Sequence, residues 1–252
     1  MSAASVDNMC SCGSGKSYDA CCEARDALRW NEEAFGRIQG NFLSPEFARY
    51  VANEPVCELD GVRYPPGILA RRLDDDYDLP AIADRIRAIP DAREAAVNVE
   101  GESSKLISSR VTGIVNQGDM TETIIALVQR AYAWEVEPFY RCKLRSLESP
   151  QILRYTEGSH YRPHADSDVL DQHTQKWKKS QDRDYSLLIY LDQDFEGGEL
   201  VFPNFDFTLR PQAGMLVAFP SDFRYLHGAK PVLSGVRHAI VSWCAIKPRS
   251  PQ

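Results

Sequence analysis

From Gln151 onward the chain consists of short apolar runs with a period of two, and this pattern most restricts what it can fold into. The runs are QILRY, YSLLIYL, GGELVF, FTLRP, MLVAF and RHAIVSWCA. Turn chemistry separates them at Gly197-Gly198, Pro203, Pro211, Gly214, Pro220 and Gly228. On an extended chain every second side chain meets the same face, so each run offers one face to a core. So many short strands within about 100 residues predict a sandwich or a jelly-roll barrel rather than an α/β fold. At 252 residues the chain also has room for a sizeable appendage to such a barrel.

The upstream part reads differently. EARDALRWNEEAFGRI spaces Leu28, Ala34, Phe35 and Ile38 as a helix, and FLSPEFARYVA begins one at Ser44-Pro45. VCELDGVRY reads as a short hairpin turning at Asp60-Gly61. Ala70 to Glu94 reads as charged and helical, closed by Pro90, with Asp74, Asp75 and Asp76 as a solvated loop or helix start. VEGESSK (99–105) reads as loop. ETIIALVQRAYAW predicts an amphipathic helix with Ile124, Leu127, Val128, Ala131 and Trp134 on one stripe. The expected organisation is therefore a small metal knuckle (1–24), a mixed, mostly helical region (25–147) and a barrel domain (148–252).

Within the strand region, HYRPHADSD places His164 and Asp166 two positions apart, so that on an extended chain an imidazole and a carboxylate share a side. His227, in FRYLHGAKP, is the natural third ligand for a two-histidine, one-carboxylate triad, the set that leaves positions open on non-haem Fe(II). Arg237 follows ten residues later on the next strand, where its guanidinium could take a carboxylate bidentately. Asp168 reads as a loop acid. His160, His173 and His238 read as surface or packed histidines, and Cys57, Cys142 and Cys244 as small core residues.

The succession QILRYTEGSHYRPHAD, GGELVFP and HGAKPVLSGVRHAIVSW resembles the prolyl 4-hydroxylase branch of the Fe(II)/2-oxoglutarate oxygenases, with every motif in order. The resemblance implies a double-stranded β-helix with the metal at one mouth. It makes His164, Asp166 and His227 the iron ligands and Arg237 the partner of the C5 carboxylate of 2-oxoglutarate. It further implies Tyr190 near that carboxylate, and Tyr155 and Tyr161 as pocket residues. The implied chemistry is decarboxylation of 2-oxoglutarate to succinate with O2, then hydroxylation of a C–H bond through an Fe(IV)-oxo species. Ascorbate is the implied reductant. Related halogenases replace the ligand carboxylate with a small residue, and retention of Asp166 points to hydroxylation.

The N-terminal stretch CSCGSGKSYDACC contains GSGKS, yet it is no phosphate loop. Cys10 stands where that loop needs a glycine, and the preceding MSAASVDNM is too short and polar for its buried strand. Cys10, Cys12, Cys21 and Cys22 instead supply four thiolates, enough for a closed tetrahedral Zn(II) site. Adjacent Cys21 and Cys22 pair poorly with Cys10 and Cys12 as disulfides in so small a loop. The stretch is similar to the SEC-C zinc knuckle, with Cys22 where many members carry histidine. Lys16 and Tyr18 would project from it toward a protein or nucleic-acid partner.

No run approaches the ~18 apolar residues of a membrane span, and no basic, apolar leader is evident, so a cytoplasmic protein without membrane attachment is expected. A net charge of −7 gives no general attraction to nucleic acid. The polar, basic segment DQHTQKWKKSQDRD (171–184) reads either as a substrate-selecting loop at the barrel mouth or as a solvated connector. Three functions follow from the sequence. The first is hydroxylation of a peptidyl residue, with proline favoured by the family. The second is hydroxylation of a free amino acid or small metabolite. The third is a zinc-knuckle binding adaptor with an inert barrel.

Overall fold

The computed structural model describes residues 51–73, 77–90, 92–94, 97–99, 102–105, 110–171 and 176–247. The four knuckle cysteines, the helices expected before residue 51, the Asp74–Asp76 run and His173 lie outside the described residues.

Two antiparallel sheets carry the fold. The strands are β1 (Leu69–Arg72), β2 (Gly113–Val115), β3 (Gln151–Tyr155), β4 (His160–His164) and β5 (Tyr185–Tyr190). They continue with β6 (Leu200–Phe202), β7 (Phe207–Leu209), β8 (Met215–Pro220), β9 (His227–Ala229) and β10 (Arg237–Ile246). The larger sheet runs β1-β8-β5-β10-β3-β2, extended by Ala92–Glu94 beyond β2 and by Leu144–Leu147 against β10. The smaller runs β7-β6-β9-β4, extended by Arg110–Val111. All the expected strand runs from Gln151 onward are strands, and among the described residues the architecture is mainly β with few helices.

Period-two alternation sorts the larger sheet's side chains onto two cores. Ile152, Leu187, Ile189, Leu216 and Ile240 join one apolar cluster, which also takes in the helices. Leu153, Tyr155, Tyr190, Val217, Phe219 and Val241 join the other, together with Leu200, Phe202 and Ala229 of the smaller sheet. The helices α1 (Leu79–Arg87) and α2 (Thr121–Ala131) therefore back the sheet, and the inter-sheet face is left for a site.

The hairpin at Asp60-Gly61 forms as read, pairing Glu58–Leu59 with Val62–Arg63. Both turn residues have positive φ (51° and 76°), as a two-residue hairpin turn of this hand requires. Three readings need correction. Residues 70–94 are not one helical segment: among the described residues the α-helix spans Leu79–Arg87, while Ala70–Arg72 belongs to β1 and Ala92–Glu94 is a strand. Leu69 and Ala70 bury their side chains in opposite cores while their backbone pairs with β8, and this tertiary context overrides the charged, helix-like composition. Val97–Val99 pairs with Glu102–Lys105, so the VEGESSK stretch is a hairpin at its ends rather than loop. The region 25–147, expected to be mixed and mostly helical, carries both helices and strands over its described part, and the strands join both sheets. Finally, Ile124, Leu127, Val128 and Ala131 are buried as expected, but Trp134 is 55% exposed. A π-helical turn over Tyr132–Val136 widens the helix there and rotates Tyr132 and Val136 into the core in its place.

Candidate active site

β4 and β9 are antiparallel neighbours, and their register sets His164 directly opposite His227. The imidazole centroids lie 4.3 Å apart. Asp166 is not on the strand, as its spacing suggested, but in the bend that follows it, anchored by its N–H donating to the carbonyl of Ser221. The bend still returns the carboxylate to the histidines. Oδ1 lies 3.4 Å from His164 Nε2 and Oδ2 lies 3.5 Å from His227 Nε2. Taken together, the three potential ligand atoms all fall within 4.8 Å of one another.

Backbone carbonyls orient both rings. His164 Nδ1 is 2.9 Å from the carbonyl of Arg162 and His227 Nδ1 is 3.1 Å from that of Tyr225. With Nδ1–H donating there, each Nε2 lone pair faces the carboxylate, the arrangement that metal-binding histidines need. Burial pushes His227 down to about 4, against the opposing pull of Asp166, so its imidazole is neutral at neutral pH. Burial works against ionisation of Asp166. His227, His164 and a hydrogen bond from Ser186 outweigh it and hold the carboxyl well below its ordinary range. An ionised acid between imidazoles, with a neutral His227, is the donor set suited to a ferrous ion.

The other end of the site is built on β3, β5 and β10. Arg237 is 1% exposed, with its guanidinium 3.9 Å from the Tyr155 ring centroid and 5.7 Å from that of Tyr190. Its Nη1 donates to the carbonyl of Gly198. Arg237 Nε and the Tyr190 hydroxyl are buried without any hydrogen-bond partner among the described residues. A buried cation beside unpartnered donors calls for an anionic ligand, because such groups are costly when left unmatched. Burial also pushes the Tyr190 phenol up, so it stays a donor. Arg237, Tyr190 and Tyr155 line the same cavity of about 560 Å³ as His164, Asp166 and His227. Tyr161 lines it too, stacked on the His164 ring at 3.7 Å and 20°.

The structure thus brings together every residue the sequence nominated for the iron and keto-acid ends. Asp168 lies outside the cluster, on a strand rather than a loop, accepting from Ser167 Oγ and the Phe223 N–H. Segment 171–184 is not only a connector. Lys176–Lys179 pairs with Asp168–Asp171, and Trp177, which lines the cavity, stacks on Phe223 at 5.6 Å.

Sequence reasoning missed two supports. Ser186 Oγ donates to Asp166 Oδ2 at 2.6 Å and lies 2.8 Å from Ser221 Oγ. The lone polar residue inside YSLLIYL was the available signal. Arg183 grips Glu148 with two hydrogen bonds, donates to the Asp166 carbonyl at 3.2 Å and lies 4.0 Å over the Trp243 ring. His238, read as a surface or packed histidine, is buried against Asp192.

Residues 150–245 match the family described as the 2OG-Fe(II) oxygenase superfamily. Over 113 residues the chain is 37% identical to prolyl 3-hydroxylase 2 of Gallus gallus, covering 41% of this chain. It spans only 16% of that relative's length. Among solved structures, a prolyl-4-hydroxylase from Pseudomonas putida is similar with a TM-score of 0.51 and 22% identity, covering 72% of this chain and 94% of that one. A prolyl hydroxylase from Trichoplax adhaerens, in complex with a peptide fragment of the hypoxia inducible factor oxygen degradation domain, is similar with a TM-score of 0.51 and 17% identity. That match covers 87% of this chain and 92% of the other. Both likenesses speak to the fold.

Proposed function

We propose that this chain is an Fe(II)- and 2-oxoglutarate-dependent dioxygenase that hydroxylates a prolyl residue of a peptide or protein. One observation carries the reading. A single cavity has His164, Asp166 and His227 at one end and, among its other walls, a buried Arg237 and Tyr190 whose polar atoms lack partners. The two imidazoles and the carboxylate would hold Fe(II). Arg237, assisted by the Tyr190 hydroxyl, would hold the C5 carboxylate of 2-oxoglutarate. When bound, iron, 2-oxoglutarate and O2 supply oxidative decarboxylation to succinate and CO2 coupled to hydroxylation of a C–H bond.

The chain's own residues position and protect. Arg237 fixes the keto acid from its far end, so its orientation is set by the protein before reaction. Ser186 and the Arg183 contact hold Asp166 in place. The aromatic walls from Tyr155, Tyr161 and Tyr190 exclude water. A peptidyl prolyl substrate is supported by the prolyl hydroxylase relatives and by the peptide bound to the Trichoplax enzyme.

The test is succinate release by the full chain with Fe(II), 2-oxoglutarate and ascorbate, against proline-containing peptides and free amino acids. Peptide-dependent succinate with a product 16 mass units heavier at proline is expected, and resolving 3- from 4-hydroxyproline assigns the carbon. Turnover confined to free amino acids would replace the peptide reading, and no turnover with any substrate would contradict the enzyme. For residues 10–22 we keep the zinc-knuckle reading and a protein partner, on the thiolate spacing alone. Stoichiometric zinc in the purified full chain supports it, and its absence contradicts it.

A further inference from the structure

Arg237 and His238 are consecutive on β10, so their side chains take opposite faces of the larger sheet. Arg237 enters the cavity. His238, 4% exposed, enters a polar cluster on the reverse face. There Asp192 Oδ2 accepts from the His238 backbone N–H at 2.5 Å and from Nδ1 at 2.8 Å. Arg154 Nε donates to His238 Nε2 at 2.9 Å. Arginine only donates, so Nε2 accepts and Nδ1 carries the proton, which fixes a neutral tautomer. Arg87 completes the chain, donating to Asp192 Oδ1 at 2.8 Å and to the Leu191 carbonyl at 2.8 Å. Arg154 also donates to the carbonyls of Ile86, Ile89 and Pro90, so it fastens the C-terminal end of α1.

The placement of these residues matters more than their number. Arg154 precedes Tyr155, His238 follows Arg237, and Asp192 lies two past Tyr190. Arg154 pairs across strands with His238, and Tyr155 with Arg237, while the Leu191 N–H donates to the His238 carbonyl. Each strand end that carries a wall of the distal cavity is therefore pinned from behind by one member of the cluster. None of the four touches the cavity itself.

Resting on the oxygenase reading above, we propose that Arg87, Asp192, His238 and Arg154 form a brace on the reverse face that positions Arg237, Tyr155 and Tyr190. The brace thereby sets the preference for a keto acid bearing a distal carboxylate. Its members are positioning residues. Asp192 is the keystone, because it alone bridges the β10 backbone, the imidazole and α1. The cluster is also built so that a small displacement has leverage: a guanidinium must meet a carboxylate at hydrogen-bond range, whereas the keto-acid head would be held by a metal whose ligands lie on, or just beyond, strands of the other sheet.

The experiment measures equilibrium binding of 2-oxoglutarate and of pyruvate, which has the same keto-acid head and no distal carboxylate. The Mn(II)-loaded full chain is compared as wild type, Asp192→Asn and Arg87→Gln. Asp192→Asn should weaken 2-oxoglutarate roughly tenfold, the scale of effect seen for outer-shell partners, with pyruvate and Mn(II) affinities unchanged. Arg87→Gln, at a half-exposed side chain, should shift the affinity ratio in the same direction and serves if Asp192→Asn does not fold. Asp192→Glu should restore part of the ratio. An unchanged ratio in folded variants, or equal loss of both ligands, would overturn the brace while leaving the oxygenase intact. Failure of the wild type to bind 2-oxoglutarate would remove both.

Discussion

The oxygens of Asp166 are shared out among its neighbours: one faces each imidazole, and Oδ2 also accepts from Ser186. Ser186→Ala removes that donor from a largely buried carboxylate, leaving it free to rotate away from the metal position. The expected result is a roughly tenfold to hundredfold loss of Fe(II) affinity, read by competition with a chelator, with the fold intact. Unchanged affinity would make Ser186 a packing residue. Asp192 makes a different residue-scale prediction. Burial opposes its ionisation, but His238 and Arg87 together hold its carboxyl below the ordinary 3.8. A depressed folded value means the unfolded chain binds the proton more readily, so this stabilisation is present above about pH 4 and is lost as pH falls through the folded value. The stability gap between wild type and Asp192→Asn should be full at pH 7 and shrink near pH 3, measured by denaturant unfolding. A gap that widens on acidification would reverse the sign.

These residues also show what a sequence discloses at this scale. His164, Asp166, His227 and Arg237 were legible because they fall in order within stretches that resemble one oxygenase family, whereas the His-x-Asp spacing alone is a weak signal. Ser186 and Asp192 were not, because their roles exist only through partners 20 and 46 positions away.

At the scale of elements, β4 and β9 must approach closely for two imidazoles to share one ion, and Gly228 permits it. A Cβ there would meet the Tyr161 carbonyl at 2.9 Å and the Pro163 nitrogen at 3.0 Å, both backbone atoms that cannot swing aside. Gly228→Ala should push β9 off β4, cost about 1–3 kcal/mol of stability and lower metal affinity, read by thermal melts with and without Mn(II). An unperturbed, metal-stabilised variant would show that the strands have slack. Periodicity gave α2 correctly as far as Ala131, since a stripe at helical spacing needs only local information. The π-helical turn beyond it defeated the same rule at Trp134, because an extra residue per turn changes which side faces inward. β1 was hidden for the opposite reason. LARR has the composition of a helix and becomes a strand only because β8 offers an edge to pair with.

Across the whole molecule, the larger sheet works as a partition. Its reverse face packs on the helices and carries the polar brace, while its inner face and the smaller sheet enclose the cavity. The metal end sits on β4 and β9 of the smaller sheet, and the distal-carboxylate end on β3, β5 and β10 of the larger one. Only correct closure of the two sheets unites them, and that is why a barrel was predictable from strand count while its site depended on chain-distant partners. The most direct test of this arrangement is an anaerobic titration of the full chain with Fe(II) and 2-oxoglutarate, followed in the visible spectrum. A weak, saturable charge-transfer band that requires both components is expected. It should vanish in Asp166→Ala and need far more 2-oxoglutarate in Arg237→Ala. No band in the wild type, or an undiminished band in both variants, would contradict the account.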